Sequence, residues 1–257
     1  MRSLPPHPNV LQLVGWTYCA RDKPRHDEAY LLMELCGGSL AQVLVQRSTP
    51  SAQTGTTSPL APADVAATWL DMLHAIAHLH THALAHRDVK PENFLLSAAE
   101  GRWKLCDFGS ATPSTPFRFV EGVTPQRALL AEEERIHASS TPQYRAPEMC
   151  DLRRGHEVGP KVDVWALGVS LYKMIFLRDL FRPGEERLGP LNFDARLTLT
   201  VEEAAPRLTV GRPSDGPKSL PPPPSELEFL LALVRASLAP TPEERPGAVS
   251  LLQWVAA

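Results

Sequence analysis

Four short motifs hold the side chains of this chain that could do chemistry together. His86-Arg87-Asp88-Val89-Lys90-Pro91-Glu92-Asn93 sets a carboxylate, an ammonium group and an amide within one loop. Asp107-Phe108-Gly109 follows after a hairpin's worth of residues, then Ala146-Pro147-Glu148, then Asp163-Val164-Trp165-Ala166-Leu167-Gly168. These residue types suit phosphoryl transfer, in which a protein mostly positions reactants and neutralises charge. A carboxylate must lie beside the attacking hydroxyl, and Asp88 is the candidate base. Mg²⁺ takes hard oxygen ligands; Asp107 offers a carboxylate and Asn93 an amide oxygen. Lys90, two residues past Asp88, can reach the transferring phosphate and screen its charge. Gly109 lets the chain turn sharply after the metal ligand. Singly, each motif is weak: Asp-Phe-Gly alone is usually a turn, and His-Arg-Asp alone is usually surface charge.

In this order and at these separations, the four motifs resemble the signature set of eukaryotic protein kinases. The form His-Arg-Asp-x-Lys-Pro-Glu-Asn resembles the serine/threonine class, and Thr141, in Ser140-Thr141-Pro142, matches the threonine that bridges base and lysine there. The resemblance implies ATP and Mg²⁺ as cofactors, Asn93 and Asp107 as metal ligands, and protein hydroxyls as acceptors.

A narrower resemblance rests on Lys104 to Thr112 (KLCDFGSAT), Arg127 to Glu134 (RALLAEEE) and Ser140 to Met149 (STPQYRAPEM). These stretches are similar to the Numb-associated kinases, the adaptor-associated, cyclin-G-associated and actin-regulating group. That likeness implies that Met33 is the gatekeeper behind adenine. It also implies that main-chain groups of Glu34 and Cys36 bond the adenine edge and that Leu95 floors the pocket. Glu148 would pair with Arg245, and Asp163 would bond the backbone of the catalytic loop. The implied substrates include endocytic adaptor subunits phosphorylated on threonine. Kinases with His-Arg-Asp commonly use the arginine, here Arg87, to grip a phosphate on the activation segment. Thr124-Pro125 and the helix formers after it point instead to a capped helix that holds the segment without added charge.

One departure stands against this pattern. No glycine-rich nucleotide loop, strand lysine or partner glutamate precedes His7. The N-terminal part of the kinase fold is therefore expected to be missing, and the chain as given is expected to bind ATP weakly and phosphorylate poorly. The alternative reading is a catalytically inactive kinase-like module that binds partners.

The elements that must position these groups follow from punctuation and periodicity. Val10 to Tyr18 and Ala29 to Leu35 read as two strands able to pair as a hairpin, and Ser39 as the cap of a short helix from Leu40 to Gln46. A helix starts at Pro62, with Val65, Trp69, Leu73, Ile76 and Leu79 at helical spacing. Leu84 to Leu105 reads as hairpin-rich loop. Thr124 reads as an N-cap with Pro125 as the first helical residue, Lys161 to Leu177 as a buried helix, and Leu227 to Leu238 and Ala248 to Val255 as closing helices. The fold class expected is α+β, a mainly helical kinase C-lobe with a remnant of antiparallel sheet. Residues 1-35 form the N-lobe remnant and 36-257 the C-lobe, with flexible insertions near 47-61 and 211-224.

The bulk numbers exclude other classes. Of 257 residues, 43% are hydrophobic and 21% charged, with a net charge of −3, which gives no basic footprint for nucleic acid. The four cysteines form no CxxC pair and no apolar leader opens the chain, so a cytoplasmic protein without a membrane span is expected. His74, His78 and His82, four apart, lack a carboxylate or cysteine to complete a zinc set; a solvated helix face leading into the catalytic loop accounts for them. Cys106 reads as a small apolar packing residue.

Overall fold

Val65, Trp69, Met72, Leu73, Ile76 and Leu79 recur at helical spacing and are all buried, so the helix they build is wrapped on several sides. The computed structural model describes residues 4–19, 28–51, 57–182, 184–186, 188–193 and 224–256. Its helices are α1 (Leu40–Ser48), α2 (Pro62–Thr81), α3 (Gln126–Ser139), α4 (Pro147–Cys150), α5 (Lys161–Phe176), α6 (Leu188–Leu191), α7 (Pro224–Ser237) and α8 (Ala248–Ala256). Its strands are β1 (Leu13–Cys19), β2 (Glu28–Met33), β3 (Leu84–Ala85), β4 (Phe94–Ser97), β5 (Arg102–Leu105) and β6 (Thr112–Pro113), paired antiparallel as β1-β2, β3-β6 and β4-β5. This is the α+β architecture expected.

The helical body is built on α2 and α5. Helix α2 packs against α5, α7 and α8, and Trp69 donates its indole N–H to the Leu167 carbonyl of α5 at 3.2 Å. Helix α5 is buried along almost its whole length, so it carries apolar side chains all round. Gly168 permits its closest approach: a Cβ there would stand 2.7 Å from the Ser237 Cβ. Helix α1 starts with a complete capping box, Ser39 and Gln42 each serving the other's backbone N–H. Of the insertion expected near 47-61, Arg47 and Ser48 close α1 and residues 52–56 lie outside the described residues; the one near 211-224 lies outside them up to residue 223.

One ion pair pins α4 to the helical body. Glu148 of α4 and Arg245 are both fully buried and joined twice, at 2.7 and 3.1 Å. Arg245 also donates to the Lys161 and Ala239 carbonyls and lies over the Trp165 ring. Removing the carboxylate leaves a buried cation with one partner fewer. Glu148→Ala should therefore destabilise the fold by about 3–5 kcal/mol in denaturant unfolding, and a loss under about 1 kcal/mol would contradict this.

The ribbon β1-β2 meets the body through His7-Pro8-Asn9. Asn9 gives its amide to the Trp103 carbonyl at 3.0 Å, its own carbonyl accepts from Leu105 N, and Leu11 N donates to Leu105 O. The His7 ring closes this turn, its Nδ1 accepting from Asn9 N at 3.1 Å while the ring stacks on His78 at 4.5 Å. Burial, then the charges of His78, His74 and Arg102, push the His7 imidazole down to about 4. A group so depressed stabilises the fold when neutral. Its contribution is complete above pH 6.5 and is lost as pH falls from 6.5 towards 4. The ring is partly exposed, so screening shrinks the effect. Wild type should lose more Tm over that interval than His7→Asn, whose side chain keeps an acceptor and does not titrate; parallel curves would refute the assignment.

Candidate active site

The loop between β3 and β4 and the turn after β5 are each held in a conformation their sequence would not choose alone. Arg87 has φ +67° and Asp107 φ +58°, left-handed values that cost a non-glycine residue about 1–3 kcal/mol. Asp163, fully buried at the start of α5, offsets the first by accepting from His86 N at 2.8 Å and Arg87 N at 2.7 Å. Burial alone would raise the Asp163 carboxyl; the His80 hydrogen bond at 2.9 Å, His80 and His86 charge and the His86 N–H outweigh it and hold it low. Asp107 receives Gly109 N at 3.1 Å, which fixes its side chain over the turn.

Four of the sequence-predicted residues converge. Thr141 donates both its backbone N–H and its hydroxyl to Asp88 Oδ1, at 2.8 and 2.7 Å. Lys90 Nζ lies 2.7 Å from Asp88 Oδ2 and donates to Thr141 Oγ1 at 2.7 Å. Asn93 Nδ2 donates to the Asp88 carbonyl at 2.8 Å. Burial would raise the Asp88 carboxyl, but the Lys90 and Thr141 hydrogen bonds and the Lys90 charge outweigh it, so Asp88 stays below the ordinary aspartate value and ionised at neutral pH. Asp107 lies beside this group, because Cys106 N donates to the Asn93 carbonyl at 2.8 Å. With Nδ2 of Asn93 committed to Asp88, its amide oxygen is the atom left for a cation. That oxygen and the exposed Asp107 carboxylate are the hard donors Mg²⁺ takes, so the pair fits that ion.

The residues expected around adenine line the passage from ribbon to body. Met33 ends β2 opposite Leu13, and the chain then runs through Glu34 and Cys36 onto β4. Gly37 N donates to Leu96 O, Leu96 N to Gly38 O, and Ser39 bridges Leu95, which brings the 36–39 segment against Leu95. Cys36 lies near Cys106, whose thiol is pushed up to about 11 by burial, then by the Asp107 charge and by Cys36, so it stays protonated and inert.

Three partnerships were not among the sequence expectations. Lys104, buried on β5, pairs with Glu34 at 2.8 Å and Glu100 at 2.6 Å, while Glu34 also accepts from Gln12 N. Arg87 forms a buried ion pair with Glu132 of α3, whose other oxygen holds Arg135 at 2.9 Å. Arg145 holds the C-terminal end of α3. Glu132 could have been found: with Leu129 and Ile136 it occupies i, i+3 and i+7 on the buried face, where a carboxylate needs a cation.

Two expectations are corrected or filled in. Thr124 does not cap α3. Pro125 holds the cap position with no side-chain bond, and the Thr124 hydroxyl instead closes the preceding turn, accepting from Val120 N and donating to Arg118 O. Of His74, His78 and His82, the last stands just past the end of α2; His78 and His82 have ring centroids 4.5 Å apart, and each meets a backbone carbonyl, His78 that of Pro5 and His82 that of His78. Among the described residues, no group of three or more His, Cys, Asp or Glu side chains is placed to hold a metal ion.

The family model of the protein kinase domain matches residues 1–255. The chain belongs to the protein kinase domain family. Similar relatives carry the same family's activity in their names. A probable serine/threonine-protein kinase of Dictyostelium discoideum is 37% identical over 75% of this chain and 23% of its own length. The serine/threonine-protein kinase AKL1 of Saccharomyces cerevisiae is 35% identical over 70% of this chain and 15% of its own, and ppk30 of Schizosaccharomyces pombe 35% identical over 68% and 17%. This kinase domain thus spans less than a quarter of each of these relatives.

Proposed function

We propose that this kinase domain transfers the γ-phosphoryl group of ATP to serine and threonine hydroxyls of proteins. The observation that carries the reading is the three-residue lock of Asp88, Lys90 and Thr141, an ionised carboxylate held by a lysine and a threonine beside Asn93 and Asp107. In the proposed roles, Asp88 accepts the proton of the acceptor hydroxyl and Lys90 screens charge on the transferred group. Asn93 and Asp107 are the Mg²⁺ ligands. The metal, when bound, supplies neutralisation of phosphate charge. Met33, Leu95 and the main chain of Glu34 and Cys36 receive adenine. Residues 1-35 then belong to the N-lobe and 36-257 to the C-lobe.

The finer reading is membership of the Numb-associated group, with endocytic adaptor subunits as substrates in the cytoplasm. It is supported by the Ser140 to Met149 stretch and by α3, a helix of strong helix formers within the activation segment. No described helix is long and apolar enough to cross a membrane. The test is a phosphorylation assay of the protein that carries this chain, with an adaptor subunit and a generic acceptor and with phosphoamino acids identified. Mg²⁺-dependent label on threonine and serine supports the activity, and preference for the adaptor supports the group. Label on tyrosine, or nucleotide binding without transfer, would overturn the reading.

A further inference from the structure

We infer that Arg145 is a positioning residue for the phosphoryl transfer, fixing the end of α3 and, through Ser140, holding Thr141 on the Asp88 carboxylate. The inference rests on the functional reading above and adds a residue to it. The last carbonyls of a helix lack intrahelical donors. At the end of α3 the Arg145 guanidinium supplies them: Nη2 donates to the Ser140 carbonyl at 2.9 Å and the Ile136 carbonyl at 3.4 Å, and Nε donates to the Ser140 hydroxyl at 2.9 Å. The Ser140 hydroxyl in turn donates to the Ile136 carbonyl at 2.5 Å. Ser140 is therefore held through both its hydroxyl and its carbonyl, in extended backbone at φ −137° and ψ 146°.

The next residue is Thr141, which gives Asp88 both its N–H and its hydroxyl. Between Thr141 and Arg145 there is only the single turn Pro142–Tyr144. On its other side Arg145 leads into α4, where Glu148 is locked to Arg245. The backbone thus ties Arg145 to the α4 anchored by Arg245, and the bonds from Arg145 to Ser140 stand one residue from the two donors on Asp88. A planar guanidinium can serve three acceptors at once; a lysine ammonium on a flexible stem cannot hold the same fork. The bland alternative is a helix cap that acts on stability alone.

Arg145→Lys keeps the charge, and Ser140→Ala removes one acceptor from the network; both should fold. In each, the Thr141 amide should exchange its hydrogen about tenfold faster, the scale of one lost hydrogen bond, while amides of α5 keep wild-type rates. In both variants kcat should fall, because a loosened Thr141 leaves the Asp88 carboxylate less firmly placed. The KM for ATP should not move. Unchanged Thr141 exchange, or a Tm loss with exchange raised equally throughout the domain, would overturn the inference. Hydrogen exchange decides this even if the wild type transfers no phosphate, an outcome that would count against the functional reading alone.

Discussion

Asp88→Asn is expected to lower kcat by about 10²–10⁴-fold, the range a general base contributes, with nucleotide affinity and Tm near wild type. The asparagine oxygen can still accept from Thr141 N and Oγ1, so the loop keeps its frame, but the side chain can no longer take a proton or pair ionically with Lys90. Asp107→Asn should differ in kind. Its carboxylate is exposed beside Asn93 and is one of only two proposed protein ligands for Mg²⁺, so Mg²⁺-dependent nucleotide binding and turnover should fall together. Isothermal titration with Mg²⁺ and a non-hydrolysable ATP analogue, run beside a kcat measurement, separates the two. Retained turnover in either variant would remove the role assigned to that residue.

The second large effect concerns the activation segment. Arg87 is already neutralised by the buried Glu132 carboxylate, so the segment needs no phosphate to satisfy it. Phosphatase-treated protein, verified by mass, should keep its activity. Glu132→Ala should abolish that activity, because it frees the catalytic-loop arginine and unpins α3 together. Leu130→Pro should do the same from an exposed position, since proline inside a helix costs about 3 kcal/mol. Phosphate on Ser140 should inhibit, for its hydroxyl is spent on Ile136 and Arg145. If dephosphorylation removes activity and phosphate on Ser139, Ser140 or a neighbouring threonine restores it, the Glu132 account fails.

Much of the candidate site was legible because its chemistry is written in local order. Asp88, Lys90 and Asn93 sit within six consecutive residues, and the turn that sets their geometry is carried by the same motif. Helix α2 announces itself by apolar periodicity and α5 by a long run that is apolar on nearly every face. What escaped was pairing across long separations. Glu132 is one of three successive glutamates, and only its phase relative to Leu129 and Ile136 marks it as the buried one. Lys104 looks like an ordinary strand residue until Glu34 is brought to it from the end of β2, 70 residues away, beside Glu100 of its own hairpin turn. His7 stacks on a helix that begins 55 residues later, and nothing local shows that its ring is partly buried there. Thr124 was misplaced because a Thr-Pro pair serves equally well as a helix start or as the end of a turn. Its hydroxyl found closer partners in Val120 and Arg118 than in the helix beyond.

The central claim is phosphoryl transfer through Asp88. Its most direct test is the transfer of labelled γ-phosphate from ATP to a generic acceptor protein, comparing wild type with Asp88→Asn in the protein that carries this chain. The account expects Mg²⁺-dependent label on serine and threonine from the wild type and background label from the variant. Equal label from both, or none from a wild type that binds Mg²⁺ and ATP, would contradict it.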